Sequence, residues 1–392
     1  MMSIEFCIKG EEHIMRQRAY RGVFLGAAIC LLLNSAGCGK TAGEGASQSG
    51  QKVNVEGQLE VHFLDVGQGD STLIKSGEHA MLIDAGENEK GEDVKEYLKS
   101  QHVEKLDYII GTHPDSDHIG GMDIAIDAFD SEKIFMPDLE KDTKTYREVI
   151  DSAKEKSEEI VEPEVGETYA LGEAEFTIVS PISDDYSNSN NYSIGILLEH
   201  GENKFLFVGD AEEESEEEML QHHVDVDADV YKVSHHGSST GTSEEFLEEV
   251  SPEYAVISCG EGNSYGHPHA EVLNELRADG VEVFRTDEQG TIVATSDGKK
   301  IEWNMSASDD WVAGEPTGSA AQRAEEKDNE GETKASVGEE RTYILNTNTK
   351  KYHAPDCGSI ETMKEKNKEE RRTNADVLLK EGYTPCQNCL GD

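Results

Sequence analysis

From residue 59 onward the chain sets short apolar runs of strand length between turns: LEVHFLDV (59–66), STLIKS (71–76) and AMLIDAG (80–86). Each run alternates or stays apolar, and glycine-containing connections separate them, which is the pattern of β-hairpins. GEDVKEYLKS then places Val94, Tyr97 and Leu98 on one helical face, and LDYIIG returns to strand. GMDIAIDAF reads as helix, KIFM as strand and YREVIDSAKEKS as helix. AEFTIVSP, SIGILLEH and KFLFVGD follow as consecutive strands, and EEESEEEMLQHH as a polar helix. Strand ADVYKVS, helix SEEFLEEV, strand YAVISC and helix AEVLNELRAD lead to closing strands VEVFRT, GTIVATS and KKIEWNM. Hairpins and helices in this order predict an α/β protein with sheets packed face to face and helices outside. The pattern stops near residue 305. Residues 306–340 are rich in Glu, Gly, Ser and Ala without apolar period and read as an acidic linker. Residues 341–392 form a last small unit.

The front of the chain reads as an address. From Met15, where translation is expected to begin, Arg16, Arg18 and Arg21 precede the apolar stretch 23–33, too short to span a bilayer comfortably. SAGC (35–38) resembles the cleavage box of bacterial lipoproteins. That resemblance implies that 1–38 is a signal peptide and lipobox. It further implies lipidation of Cys38, membrane attachment through that lipid, and an extracytoplasmic location. Ser35 stands where such boxes usually carry Leu, which leaves ordinary secretory cleavage or a retained anchor open. Residues 39–58, rich in Gly, Ser and Gln, read as a flexible tether.

Charge narrows the partners. The 82 acidic and 35 basic side chains give a formal net charge of −47. So acidic a surface excludes broad binding of nucleic acid by counterion release, so an anionic substrate has to be held by metal or by a local basic patch. The cysteines define no disulfide framework for the central region: Cys7, Cys30 and Cys38 lie near the front, and Cys357, Cys386 and Cys389 at the end. Cys259, alone mid-chain, reads as a small buried apolar residue.

Candidate chemistry gathers where strands end. THPDSDHIGG places His113, Asp115, Asp117 and His118 after LDYIIG, Asp210 follows KFLFVG, and His235 and His236 follow ADVYKVS. Loops at one end of open α/β sheets converge, and this mixture of His and carboxylate suits Zn²⁺ or Mn²⁺ with open positions. Taken singly, each loop has an ordinary explanation: Asp210 as a turn residue, SHHGS as a solvated loop, Asp115 and Asp117 as caps of a helix starting near Gly120. All three in this order favour a metal centre.

Six stretches, LDVGQGDS, IDAG, THPDSDHIGG, NNYSIGILLEHGENKFLFVGDAE, KVSHHGS and NSYGHPH, together resemble the hydrolase domain of ComEC-type competence proteins, within the metallo-β-lactamase-like superfamily. Over 59–305 this resemblance implies an αββα sandwich binding two divalent ions, Zn or Mn. It implies His113, Asp115, Asp117, His118, bridging Asp210 and one of the His235–His236 pair as ligands, with His235 preferred. A metal-bound hydroxide would attack the substrate, Asp117 steering it and His267 steadying the oxyanion. Asn263 and Tyr265 would join His267 in binding substrate, and His269 would start the following helix. Asp65, Asp70 and Asp84 would orient ligands from behind. Two departures stand out. Asp115 replaces the second histidine of the superfamily's H-x-H-x-D-H motif. The histidine usual before the bridging-Asp strand is missing, with Asn190 and Asn191 nearest in sequence. The expectation is an oxygen-rich site that leans toward Mn²⁺.

The tail carries its own metal pattern. His353, Cys357, Cys386 and Cys389 have the paired spacing of a closed Cys₃His zinc site, and a small unit with little core gains stability from such an ion. A Cys386–Cys389 redox pair or an intermolecular disulfide is the competing reading. The GYTPCQNC ending and the paired ligands resemble the Ada-type metal-binding domain. His353 in place of a cysteine makes a structural zinc the expectation rather than methyl transfer. Nine Lys or Arg stand against eight Asp or Glu in 341–392. MKEKNKEERR, with Lys364, Lys366, Lys368, Arg371 and Arg372, is either a phosphate contact or a solvated helix face.

The function these readings imply is an extracytoplasmic metal-dependent phosphodiesterase or nuclease, with single-stranded nucleic acid as the partner. Two alternatives stay open: a hydrolase of a lactone, thioester or β-lactam on the same fold, and a non-catalytic cell-surface binding module.

Overall fold

The alternation in LEVHF becomes an edge-to-centre strand pattern: β1 (Leu59–Phe63) turns Leu59, Val61 and Phe63 into a fully buried interior. It pairs with β2 (Thr72–Ser76), which hairpins into β3 (His79–Ile83). Parallel strands β4 (Lys105–Ile110), β5 (Asp130–Phe135) and β6 (Ile160–Val161) extend this sheet on one side. The second sheet begins with β7 (Thr168–Leu171), β8 (Ala174–Ser180), β9 (Gly195–His200) and β10 (Asn203–Phe207). It continues through parallel β11 (Val230–Lys232), β12 (Tyr254–Ile257) and β13 (Glu282–Arg285). β14 (Ile292–Ser296) and β15 (Ile301–Trp303) return to the first sheet beside β1. The structure is a computed structural model that describes residues 57–314 and, within 341–389, all but 356, 361, 362, 374, 376, 377, 379–381, 387 and 388. The leader, Cys7, Cys30, Cys38, the tether up to residue 56 and residues 315–340 lie outside the described residues.

Period-two patterning explains why there are two sheets rather than one. Phe63, Ile74, Met81, Ile110 and Phe135 from the first sheet meet Phe176, Ile178, Ile196, Phe205 and Phe207 from the second in one core. Phe63 stacks on Phe207 at 6.0 Å between centroids. Each such side chain contributes about 1.5–3 kcal/mol of burial. The alternate residues face outward under helices. Leu73, Leu82 and Ile109 pack with α1 (Gly91–Ser100), the one-turn α2 (Ser116–Ile119), α3 (Met122–Ala128) and α4 (Lys144–Lys156). Leu206, Tyr231 and Ala255 pack with α5 (Glu213–Gln221), α6 (Glu244–Val250) and α7 (Ala270–Asp279). The result is the expected αββα sandwich. No helix among the described residues is long and apolar enough to cross a membrane.

Two local expectations are corrected, and two short strands join those read from the sequence. The stretch read as linker from residue 306 packs on the domain as far as Gly314. There Ser308 N donates to Val283 O, Gly314 N to Pro268 O, and Trp311 lies under the Arg277 guanidinium at 5.7 Å. The polar run KNKEERR is not a helix. It forms a 3₁₀ turn (Glu365–Asn367) and a strand (Lys368–Thr373) that pairs antiparallel with Arg341–Asn346. The added strands β6 and β7, two and four residues long, are too brief to stand out in the pattern.

The tail forms a four-stranded sheet of its own around Tyr343, Leu345, Tyr352, Leu378 and Tyr383. It touches the sandwich through Lys351, whose Nζ lies 3.1 Å from Glu244 on α6 and 2.5 Å from Glu275 on α7.

Candidate metal centre

The ligand-bearing residues stand where the fold brings strand ends of both sheets together: Asp84 after β3, His113 after β4, Asp210 after β10, and His235 and His236 after β11. The helix that follows His113, α2, begins at Ser116, earlier than Gly120, and its N-cap Asp115 makes no side-chain capping bond. The Asp115 carboxylate instead contacts Lys141 Nζ and lies 4.0 Å from His113 Nε2. Gly121 lets this turn seat against α1, since a Cβ there would lie 2.5 Å from the Gly91 Cα. At Gly69 φ is +137°, and a Cβ would lie 2.3 Å from the Asp117 carbonyl oxygen. The DVGQGDS loop can pass Asp117 only as glycine.

Two histidines are held from behind by carboxylates. Asp84 Oδ2 accepts from His118 Nδ1 at 2.8 Å, and its oxygens also accept from Thr112 N and Oγ1, each at 2.8 Å. Asp70 Oδ1 lies 3.1 Å from His236 Nδ1, which also reaches Ser258 O at 3.0 Å. Lys232, buried, donates from Nζ to Asp70 Oδ2 at 2.9 Å. Both imidazoles therefore present Nε2 forward. His118 Nε2 lies 3.2 Å from Asp210 Oδ1, and His236 Nε2 lies 3.4 Å from Asp117 Oδ2 and 3.5 Å from Asp210 Oδ2. His113 Nε2 lies 4.0 Å from both Asp210 Oδ2 and Asp115 Oδ1.

Four buried atoms aimed at this space, His113 Nε2, His118 Nε2, His236 Nε2 and Asp210 Oδ1, have no hydrogen bond of acceptable geometry. Burying such atoms unpaired is costly unless a ligand completes them. Tetrahedral coordination at about 2.1 Å sets neighbouring donors about 3.4 Å apart, close to the separations found. Ligand atoms of Asp70, His118, Asp210 and His236 all lie within 4.8 Å of one another. Asp70 has both oxygens spent on Lys232 and His236, so Asp117 is the better fourth member. The donor chemistry fits a divalent ion.

The electrostatics agree. Burial works against charging His118 and His236, yet Asp210 with Asp84 lifts the first well above the ordinary range, and Asp210 with Asp70 lifts the second to about 10. Burial and the neighbouring His118 push His113 down to about 4. Burial would raise Asp210, but His118, His236 and His235 outweigh it and hold the carboxyl well below its usual range. Asp210 is thus kept charged while His118 and His236 hold protons, which metal binding releases.

Some predicted residues stand elsewhere. Within the histidine pair it is His236, buried, that joins Asp117, His118 and Asp210, whereas His235 was preferred from sequence. His235 occupies the outer flank, with Nε2 at 3.6 Å from Asp210 Oδ2. Asp65 is exposed and only turns its own loop, accepting from Gly67 N at 3.1 Å. Asn263 has no capacity left for substrate: its Oδ1 accepts from the backbone N of Tyr265, Gly266 and His267, and its Nδ2 donates to Gly260 O and His267 O. It shapes the loop that presents His267. Asn190 and Asn191 turn toward Glu212 and Glu214 rather than toward the centre. His269 is the N-cap residue of α7, as expected.

His267 is neutral, because burial and then His236 push it down to about 3. Gln68 Oε1 accepts from Gly260 N, so its amide nitrogen faces His267 Nδ1 at 3.4 Å, which leaves the proton on Nε2. Tyr265, half exposed, stacks on His267 at 5.5 Å. Lys141 belongs to no motif, and Lys232 opens KVSHHGS without any sequence signal of its role; Lys141 Nζ contacts Asp115 Oδ1 and lies 3.4 Å from Ser189 Oγ.

In the tail, ligand atoms of His353, Cys357, Cys386 and Cys389 also lie within 4.8 Å of one another. Cys357 Sγ is 3.9 Å from Cys386 Sγ and 3.5 Å from His353 Nδ1, and all three thiols are free. Thiolates on one tetrahedral zinc stand about 3.8 Å apart, so the set fits that ion.

A two-sheet sandwich whose strand ends deliver paired imidazoles and carboxylates to one cation-sized space is the architecture of a metal-dependent hydrolase. The chain belongs to the metallo-beta-lactamase superfamily, whose family model matches residues 64–261. Among known proteins it is similar to ComE operon protein 3 of Bacillus subtilis, 34% identical over 251 residues, covering 59% of this chain and 32% of that protein. It is also similar to Recombination protein 2 of Haemophilus influenzae, 31% identical, covering 55% and 26%. Competence protein ComA of Neisseria gonorrhoeae is 28% identical, covering 60% and 32%. The resemblance to ComEC-type domains read from the six motifs is borne out. The chain spans about a third or less of the length of these relatives.

Proposed function

We propose that the protein is an extracytoplasmic phosphodiesterase that cleaves single-stranded nucleic acid at a two-ion centre, tethered to the membrane by a lipid on Cys38. The observation that supports it most is the set of orphaned donors, His113 Nε2, His118 Nε2, His236 Nε2 and Asp210 Oδ1, facing one space between the sheets. Competence and recombination in the relatives' names favour nucleic acid as the substrate class. When bound, divalent ions supply Lewis acidity and make water acidic enough to be a nucleophile near neutral pH. Asp117, His118, Asp210 and His236 would hold the inner ion, and His113, Asp115 and Asp210 would hold the outer one. Asp117 also orients the attacking water. His267, neutral with its proton on Nε2, donates to the non-bridging oxygen of phosphorus without adding charge to the centre. The Cys₃His set in the tail would hold a structural zinc.

A neutral ester such as a lactone is the second reading, favoured by the net charge of −47, which repels polyanions. One panel separates them: a labelled single-stranded oligonucleotide, bis(p-nitrophenyl) phosphate, a lactone and a β-lactam, each with Zn²⁺ and Mn²⁺. Phosphodiester cleavage that disappears in Asp210→Asn supports the proposal. Lactone turnover with the oligonucleotide uncut overturns it, and binding without cleavage of any substrate favours a recognition module.

A further inference from the structure

The outer half of the centre lacks the histidine that its superfamily places before the bridging aspartate, and the structure offers a replacement. His235 and His236 are adjacent and both hold left-handed backbone conformations, with φ of 47° and 55°. Such conformations cost on the order of 1–3 kcal/mol each for a side-chain-bearing residue. They bring both rings to one carboxylate oxygen without stacking them: Asp210 Oδ2 is 3.5 Å from His236 Nε2 and 3.6 Å from His235 Nε2, and the ring planes stand 66° apart with centroids 6.0 Å apart. A solvated loop histidine gains nothing from this arrangement.

The back of each ring carries a second sign. His118 leans on Asp84 and His236 on Asp70, the carboxylate–histidine arrangement that fixes a metal ligand's tautomer. His235 repeats it with Glu212: its Nδ1 lies 3.3 Å from Glu212 Oε1 and 3.0 Å from Thr240 Oγ1. Glu212 is itself fixed, accepting from Asn190 Nδ2 at 3.1 Å, Asn188 Nδ2 at 2.8 Å and Thr240 Oγ1 at 3.1 Å. The asparagine segment standing where the histidine is missing therefore serves the centre indirectly, by holding the carboxylate that holds His235.

We propose that the histidine doublet is divided between two ions, His236 on the inner one and His235 on the outer one, with Glu212 as the positioning residue of His235. This rests on the two-ion reading above. Its consequence is chemical symmetry. The inner ion meets His118, His236, Asp117 and Asp210, and the outer ion meets His113, His235, Asp115 and Asp210. Each has two imidazole nitrogens and two carboxylate oxygens, so neither is the nitrogen-poor site that the missing histidine suggests.

The test is titration of the metal-free full chain with Mn²⁺, which thiolates in the tail disfavour, followed by electron paramagnetic resonance. The wild type is expected to bind two ions giving an exchange-coupled signal. His235→Ala should keep one uncoupled ion, and that retained ion shows the variant is folded. Glu212→Gln should weaken only the second ion, by about 10–100-fold. A coupled pair persisting in His235→Ala overturns this assignment while leaving the two-ion reading intact. A single ion in the wild type overturns both and makes Lys141 the cation of the outer half. Two ions that depend on His235, without phosphodiester cleavage, support the assignment and sink only the proposed substrate.

Discussion

Asp84→Asn separates holding the fold from holding the metal. Asp84 is buried and accepts three hydrogen bonds, from Thr112 N, Thr112 Oγ1 and His118 Nδ1, each at 2.8 Å. Its φ is +56°, a conformation that asparagine tolerates well. The substituted amide would keep an oxygen for Thr112 N and place an NH₂ where the second carboxylate oxygen stood. That NH₂ can only donate, so His118 Nδ1 must become the acceptor and the ring proton must move to Nε2, the atom facing the metal. The variant should therefore fold within about 1 kcal/mol of wild type yet bind the inner ion about 100-fold more weakly. Asp84→Ala should behave differently. It strands buried donors and removes the short polar side chain that eases the left-handed backbone at this position, costing roughly 3–5 kcal/mol of stability. Urea unfolding of both metal-free variants, beside Zn²⁺ affinity by competition with a chromogenic chelator, measures the two effects separately. Wild-type zinc affinity in a folded Asp84→Asn protein would refute the claim that Asp84 sets the His118 tautomer.

Glu216 is buried on α5, and burial raises its carboxyl from 4.5 to about 7 although Thr242 N and Ser243 N donate to it. The folded state therefore holds a proton that the unfolded state loses. This contribution is fully present below pH 4.5 and lost as pH rises through 7, so wild type should lose about 3 kcal/mol relative to Glu216→Gln between pH 4.5 and 8. Urea midpoints at the two pH values check it; a constant difference would count against it. Gly69→Ala should push Asp117 out of place and cost on the order of 3 kcal/mol together with inner-ion affinity, read by melting and metal titration. Cys386→Ala should lose one zinc by elemental analysis while the core ions and the hydrolysis rate stay unchanged, because its thiol lies only in the tail cluster.

The strands and helices of the sandwich were legible because their apolar residues recur at period two or along one helical face, and the ligand loops because a metal centre crowds rare residue types into short motifs. What stayed hidden depended on backbone direction or on distant partners. Asp65 and Asp70 stand in one motif, DVGQGDS, yet one turns a loop and the other backs a ligand, and only the path of the loop separates them. Which of His235 and His236 points inward follows from two left-handed residues that no propensity announces. Glu212 and Lys232 stand at the margins of ligand motifs, after Asp210 and before His235, where nothing in the residue type announces a role, and Lys141 comes from a segment with no pattern of its own. Asn263 looked like a substrate contact because polar residues near a catalytic loop read alike, whether they face the substrate or fold the loop.

The placement of Asp210 has a mechanical side. Asp84, His113 and His118 arrive from the first sheet, and Asp210, His235 and His236 from the second. An ion between them would be a rivet through the seam of the sandwich, joining halves whose inner faces are otherwise held mainly by apolar contact. Chelation should then loosen the fold and silence the enzyme in one stroke, and a chain that reaches a compartment poor in divalent metal would be left open to proteases as well as idle.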